Sequence, residues 1–254
     1  MKISIITPVF NNIEVGRALD SILSQRYNGE LELVVVDGGS KDGTLDVLNR
    51  YSDSISTLIS ESDDGIYDAM NKGIRRTTGD VIGILNSDDC YASPYVIRDV
   101  AEAFVKTGTE ACYGNLVYVN DCDSVIRYWR AGYPSVAKWY WGWMPPHPTF
   151  FVRRHVYERY GMFNLEFSIA ADYELMLRLL LKCRVSVKYI DRVLVRMALG
   201  GVSNKSVSNI VRANIEVARA WRTNNLRGGL FAPFLKPISK ILQFTSRSSK
   251  SELR

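Results

Sequence analysis

Gly79-Asp80-Val81-Ile82-Gly83-Ile84-Leu85-Asn86-Ser87-Asp88-Asp89 decides how the rest of the chain is read. The apolar run Val81 to Leu85 enters a polar, acidic turn without a break. Continuous apolar residues mark a strand buried on both faces, as in a parallel sheet covered by helices. In such sheets ligands collect beyond the carboxyl ends of the strands. Two adjacent carboxylates at that place suit a hard divalent cation that neutralises phosphate oxygens. Asn, Ser and Asp are also ordinary turn formers, so a solvated turn is the competing reading.

Upstream, apolar runs alternate with helical periodicity. Lys2 to Pro8 is a predicted strand, ended by a proline that cannot donate to a ladder. Val15, Ala18, Leu19, Ile22 and Leu23 have the spacing of a helix over Ile13 to Gln25. Leu31 to Val36 is a second strand, Thr44 to Tyr51 a short helix, Thr57 to Ser60 a weak strand, and Ile66 to Arg76 a helix. The central strand, Asp80 to Leu85, follows. This is the rhythm of βαβ units, an α/β fold with a parallel sheet. Its loops share one sheet edge, which brings Asp37, Asp64 and Asp88 towards a common crevice. Neither GxGxxG opening a helix nor GxxxxGK[ST] is present, so the usual phosphate cradles are missing.

The second half changes character. Tyr95 to Lys106 is a predicted helix, and Ala111 to Asn120 and Ser124 to Arg130 an antiparallel pair. Three prolines interrupt the aromatic stretch Trp139 to Phe151, which is expected to be irregular. Its rings either cover the core or offer a face to a sugar. Asp172 opens a helix at Leu175 to Leu181, where a carboxylate suits the helix dipole, so capping alone would account for it. Val185 to Val195 is a strand, then come the Gly200-Gly201 loop and a helix from Val207 to Arg222.

With 254 residues, 46% hydrophobic and 23% charged, the chain has the composition of a folded protein with a substantial core. The first apolar run is too short for a secretory signal core, and no run approaches a membrane span. Cys90, Cys112, Cys122 and Cys183 lack CxxC spacing and are expected to be reduced thiols without zinc. The net charge of +5 lies at one end. From Leu226 onward six basic residues face Glu252 alone, so residues 1–225 are neutral overall. The expected organisation is one domain over 1–225, with a first half over 1–90 and a second over 91–225, and a basic amphipathic tail over 226–254. That tail interleaves Lys236 and Lys240 with large apolar residues, the composition of an interfacial helix on anionic lipid or of a helix docked on the core. No nucleic-acid partner is expected.

Five local patterns, in order over roughly residues 1 to 200, resemble the inverting glycosyltransferases of family 2, with the GT-A fold. They are Ile5-Ile6-Thr7-Pro8-Val9-Phe10-Asn11; Val36-Asp37-Gly38-Gly39-Ser40-Lys41-Asp42-Gly43-Thr44; Asp64-Gly65-Ile66-Tyr67-Asp68-Ala69-Met70-Asn71-Lys72-Gly73; Leu85-Asn86-Ser87-Asp88-Asp89; and Ala171-Asp172-Tyr173-Glu174-Leu175. The wording of these motifs is similar to bacterial enzymes that build exopolysaccharide, O-antigen or related repeat units. The resemblance implies transfer of one hexosyl or N-acetylhexosaminyl unit from a nucleotide-diphosphate sugar, with Mg²⁺ or Mn²⁺, to a glycan acceptor, lipid-linked or oligosaccharide. It implies a catalytic domain over 1–225 whose half 1–90 binds the nucleotide sugar and whose half 91–225 binds the acceptor. Thr7, Pro8, Val9 and Asp37 would hold the nucleotide base, Asn11 would also bind the donor, and Asp64, Asn71 and Lys72 would lie along the nucleotide and its phosphates. Asn86 would face the ribose, Asp88 would coordinate the metal, and Asp172 would be the general base. On the acceptor side it leaves His147, Trp143 and Glu174. With the tail on anionic lipid, it implies a cytoplasmic enzyme, peripheral on the inner face of the cytoplasmic membrane.

Departures from the pattern are also legible. The first DxD position is Asn86, Ala171 stands where many members have glutamate, and no histidine occurs between Arg196 and Ser203. QxxRW, the mark of processive synthases, is absent, which favours addition of a single sugar. Two other readings stay open on sequence alone: a non-catalytic partner that binds a nucleotide sugar, encouraged by Asn86, and a sugar nucleotidyltransferase, disfavoured by the lack of a glycine-rich basic loop after the first strand.

Overall fold

The computed structural model describes residues 1–120, 122–198 and 207–227. The Gly200-Gly201 loop and nearly all of the tail over 226–254 lie outside the described residues. The first half is β1 (Lys2–Val9), α1 (Val15–Leu23), β2 (Glu30–Asp37), α2 (Thr44–Asn49), β3 (Thr57–Ser60), α3 (Ile66–Arg76) and β4 (Val81–Ile84). The second half is β5 (Cys90–Tyr91), α4 (Val96–Thr107), β6 (Ala111–Val119), β7 (Val125–Trp129), α5 (Val136–Tyr140), β8 (Phe151–Arg153), α6 (Arg154–Tyr160), α7 (Ala171–Met176), β9 (Val187–Ala198) and α8 (Val207–Thr223).

All described strands join one mixed sheet, ordered β3-β2-β1-β4-β8-β6-β9-β5, with β7 on β6. The block β3-β2-β1-β4 is parallel; β8 then runs antiparallel to both β4 and β6. Because each face carries helices, β1, β2 and β4 are apolar on both sides. One face takes α1 through Val15, Ala18, Leu19 and Ile22, an i, i+3, i+4, i+7 stripe, with Leu48 of α2 and Phe104 of α4. The other takes α3, α7, α8 and the aromatic stretch. α3 lies close on β1 because position 73 is glycine: a Cβ there would come within 2.4 Å of Ile6. Among the described residues no helix is long and apolar enough to cross a membrane.

Several expectations are revised. Pro8 does not end β1. Ile6 accepts from Leu85 on the β4 side, so Pro8 turns its missing donor towards the place where β4 has already ended. The proline-rich stretch is not wholly irregular: α5 precedes it, His147–Thr149 is a 3₁₀ turn, and β8 follows at once. The helix expected at Leu175 starts earlier, at Ala171, and continues beyond Met176 as a π-helical turn, Leu177–Lys182.

At the amino edge of the parallel block, Glu32 is buried and accepts from Ser4 Oγ (2.5 Å), Thr78 N (2.8 Å) and Thr78 Oγ1 (2.6 Å), with Lys2 Nζ at 3.3 Å. Burial pushes this carboxyl up, but the bonds from Ser4, Thr78 and Lys2 outweigh it and hold the pKa at about 2. A depressed carboxyl stabilises the fold above its unfolded value and loses that contribution as pH falls through the folded one. Urea unfolding of wild type is therefore expected to weaken between about pH 4.5 and pH 2, and Glu32→Gln to remove on the order of 2 kcal/mol at pH 7 and progressively less towards pH 2.

Candidate active site at the carboxyl edge of the sheet

The loops after β1, β2 and β4 are knitted together. Asn11, at φ +48°, accepts from Lys41 N (2.9 Å) and its own N–H donates to Ser40 Oγ (2.8 Å). Asn12 N donates to Thr44 Oγ1 (2.9 Å), and its amide donates to Ser87 Oγ (3.0 Å). Thr7, Pro8 and Val9 are buried at the end of β1, and Thr7 Oγ1 has no hydrogen-bond partner among the described residues. Asp37 is buried as well. Its carboxylate takes the N–H groups of Gly39 and Ser40 and the hydroxyl of Ser60 (2.7 Å), which fixes the turn after β2 and ties it to β3. Any bond to a base must use the lone pair these donors leave.

After β3 the chain turns through Gly65, at φ +108°, a conformation that side chains other than glycine rarely adopt. Asp64 is exposed there. Lys72 is tied down: Nζ donates to Ser62 O (2.7 Å) and lies 3.0 Å from Glu61 and 3.4 Å from Asp68. Asn71 departs from its expected place along the nucleotide. It is buried on α3, where its amide donates to Phe163 O (2.9 Å) and accepts from Phe163 N (3.0 Å). It joins the two halves of the molecule.

The acidic turn after β4 is not a pair of open carboxylates. Asp88 is exposed, whereas Asp89 is fully buried and accepts from the Asn86 amide at 3.1 Å. Burial, then the neighbouring Asp88 charge, push the Asp89 carboxyl well above the usual range, against the Asn86 bond. Asn86 Oδ1 is buried without a hydrogen-bond partner among the described residues. Among the described residues no three His, Cys, Asp or Glu side chains form a metal cage. One open carboxylate with an amide oxygen two residues earlier fits a hard cation that brings most of its oxygen ligands on a diphosphate.

The second half delivers Asp172 to this same edge. Tyr67, in the first turn of α3, follows the loop at the carboxyl end of β3. Its hydroxyl donates to Ile169 O (2.8 Å) and lies 3.3 Å from Asp172 Oδ1, across 105 residues of sequence. Burial and the Asp172 charge push the Tyr67 phenol far up, so it stays protonated. Asp172 is half-buried and accepts from Tyr173 N (2.8 Å). Phe163 stacks on Tyr67 at 5.5 Å and meets His147 edge-on at 5.5 Å. His147, held low by burial, also feels the Asp172 charge, which opposes that shift. Tyr67, Phe163, His147 and Asp172 thus form one cluster. Tyr67 and Phe163 are the members that sequence reasoning passed over, since nothing in Gly65-Ile66-Tyr67 or around residue 163 marks a ring that reaches this site.

Two expected acceptor-side residues have other work. Glu174 is buried and forks with Arg178 (2.9 and 3.1 Å), while Asn224 donates to it at 2.9 Å. Arg178 spends its remaining donors on the carbonyls of Tyr160, Gly161 and Met162. This ion pair fixes the chain just before Phe163. Trp143 donates to Ala131 O (2.7 Å) and packs edge-on against Tyr113 and Trp139. Of the aromatic stretch, Trp139, Phe150 and Phe151 are core, while Tyr140 and, further out, Trp141 are exposed.

A parallel half-sheet with acidic loops at its carboxyl edge, closed by a second half that brings another carboxylate there, is the GT-A glycosyltransferase architecture. A family model described as glycosyl transferase family 2 matches residues 4–162. An uncharacterised glycosyltransferase of Mycobacterium tuberculosis is 33% identical over 186 residues, 71% of this chain and 70% of that one. The fold is similar to S. aureus TarS 1-349 in complex with UDP-GlcNAc (TM-score 0.63, 18% identity, 85% of this chain), though this chain spans only 66% of that structure. It is also similar to the mannosyltransferase PcManGT of Pyrobaculum calidifontis in complex with GDP-Man and Mn²⁺ (TM-score 0.64, 18% identity), over 98% of this chain and 76% of that one. The chain belongs to glycosyl transferase family 2 and is a glycosyltransferase.

The reassignment of Glu174 has a measurable consequence. Glu174→Ala leaves the Arg178 cation, 14% exposed, without its counter-charge, and is expected to cost about 3 kcal/mol in denaturant unfolding. The Michaelis constant for the acceptor should stay where it is in the folded fraction, because the Glu174 carboxylate is buried and taken up by Arg178 and Asn224.

Proposed function

We propose that this glycosyltransferase moves one hexosyl or N-acetylhexosaminyl unit from a nucleotide-diphosphate sugar to a hydroxyl of a lipid-linked glycan, with inversion, in bacterial surface-polysaccharide synthesis. The observation that carries the reading is the Tyr67–Asp172 contact, which ties a carboxylate of the second half to the edge where Asp88 stands. Nucleotide-sugar complexes of the two structural neighbours, one with Mn²⁺, support a donor of this class.

In this mechanism Thr7, Pro8, Val9, Asn11 and Asp37 border the base, Asn86 the ribose, and Asp64 and Lys72 the phosphates. Mg²⁺ or Mn²⁺, held by Asp88 and diphosphate oxygens, would supply positive charge where the leaving group gathers negative charge. Asp172 takes the proton of the acceptor hydroxyl as its oxygen bonds to the anomeric carbon. A single displacement with a single base inverts that carbon. Tyr67, pinned on Ile169 O, keeps Asp172 from turning away, and His147 lies beside it on the acceptor side. Residues 226–254, with an excess of five positive charges, would hold the enzyme against anionic lipid on the inner face of the cytoplasmic membrane, where a lipid-linked acceptor resides.

Incubation with a panel of UDP- and GDP-sugars, Mn²⁺ and lipid-linked acceptors is expected to release nucleoside diphosphate. Asp172→Asn should lower turnover by about 10² or more with little change in donor Michaelis constant, and Asp88→Asn should raise the Mn²⁺ requirement. NMR of the first-formed product should show the anomeric configuration opposite to the donor's. Retention, or wild-type turnover in Asp172→Asn, would end the single-displacement reading. Removal of residues 226–254 should shift the protein from vesicles containing anionic lipid to the soluble fraction; unchanged partitioning would exclude the tail as the anchor.

A further inference from the structure

Three consecutive backbone donors converge on one carboxylate that no step above uses. Glu216 of α8 is buried, and it accepts from Ser168 N (3.2 Å), Ile169 N (2.9 Å) and Ala170 N (2.8 Å), and from Ser168 Oγ (2.8 Å). These residues are the approach to α7, whose second residue is Asp172. Ile169 is held on its other side too, since its carbonyl is the acceptor for Tyr67. A carboxylate facing three consecutive N–H groups of the segment before α7 makes charge-assisted hydrogen bonds, which are stronger than neutral ones and hold that backbone in one place. The three N–H bonds and the Ser168 hydroxyl hold the Glu216 carboxyl below the usual range although burial works the other way. Arg212, one helical turn away on α8, adds a cation at 3.6 Å.

Glu216 cannot drift, because α8 is bolted along α7 at two further points. Trp221 Nε1 donates to the Tyr173 hydroxyl (2.9 Å), and Asn224 donates to Glu174 (2.9 Å). We infer that Glu216 is a positioning residue for Asp172: from α8 it fixes the backbone of residues 168–170, and through that backbone it sets both the start of α7 and the acceptor of the Tyr67 hydroxyl. The inference rests on the reading of Asp172 as general base. Its logic is geometric. A base must sit within hydrogen-bond reach of the proton it takes, and a displacement near 1 Å costs on the order of 10²-fold in rate. A glutamine at 216 keeps the shape but presents one acceptor and one donor to a row of donors, so the loop has to move.

The test separates positioning from plain stability by using a reporter beside Asp172. The chain has two histidines, His147 against the site and His155, whose side chain is 56% exposed near Glu110. NMR titration of the folded protein therefore resolves His147. Asp172→Asn removes a charge that supports the imidazolium, so His147 should titrate lower than in wild type. Glu216→Gln should move His147 in the same direction and add nothing further in the Asp172→Asn background. With the UDP- or GDP-sugar that gives turnover, Glu216→Gln should lower kcat about tenfold or more, with donor KM within about twofold. Glu216→Asp should restore part of that loss, and Ser168→Ala, which leaves the backbone bonds in place, should cost only about two- to threefold. If Glu216→Gln does not fold, Glu216→Asp carries the same two readouts, with His147 displaced less. Wild-type turnover, or an unmoved His147, in the folded Glu216 variant overturns the proposal. Wild-type turnover in Asp172→Asn would instead overturn the choice of base, while His147 still reports whether Glu216 sets the place of residue 172.

Discussion

Everything at the carboxyl edge depends on α3 being a joint between two halves that share little else in style. One side of α3 lies against β1, with Gly73 admitting Ile6. Its other side grips the second half through the paired bonds of Asn71 with the backbone of Phe163 and through the Tyr67 hydroxyl. Each buried bond contributes only about 1 kcal/mol net, yet leaving its partner unsatisfied costs about 1–3 kcal/mol. That asymmetry makes the joint specific: few other docking positions of the second half satisfy the Phe163 N–H and C=O and the Ile169 carbonyl together. The position of Asp172 relative to the parallel loops follows from this constraint.

The same economy governs the charges. Three buried carboxylates are matched by convergent donors: Glu32 by Ser4, Thr78 and Lys2, Glu174 by Arg178 and Asn224, and Glu216 by a row of amides, whereas buried Asp89, with fewer donors, is pushed up towards its neutral form. Each of the three holds backbone in place. Asp64, Asp88 and Asp172, by contrast, are left exposed or half-buried. An interior at low dielectric enforces this separation, because an unmatched buried charge is among the most costly features a fold can carry. A carboxylate left open at the sheet edge is a group with chemistry available to it.

The parallel half was legible because its signals are local. Apolar runs, the helical spacing of Val15, Ala18, Leu19 and Ile22, and the polar loops between them give element type and order within a window of a dozen residues. The start and end of α3 were readable to the residue. What was not legible depends on partners far away. Pro8 continues a strand because β4 stops short of it, a fact about another strand. β5 and β8 are two and three residues long and exist only as partners of β9, β4 and β6. Glu174 and Asp172 stand two apart on one helix, and no local pattern tells which faces Arg178 and which faces Tyr67. Asn71 sits in a motif that resembles a nucleotide-side helix, but packing decides that its amide meets Phe163.

Asn86 shows how a departure from a family pattern can be compensated within a few residues. A carboxylate at 86 would stand about one hydrogen bond from the buried Asp89, and two acids in that contact would share a proton or repel. The asparagine instead gives Asp89 an N–H at 3.1 Å and keeps an oxygen of its own. The turn therefore presents a single open carboxylate, Asp88, over a neighbour already shielded by its amide partner and by burial. A cation held at such a turn has to draw most of its ligands from the diphosphate, so metal and donor are expected to arrive together, and the affinity of the empty protein for either says little about the affinity of the pair.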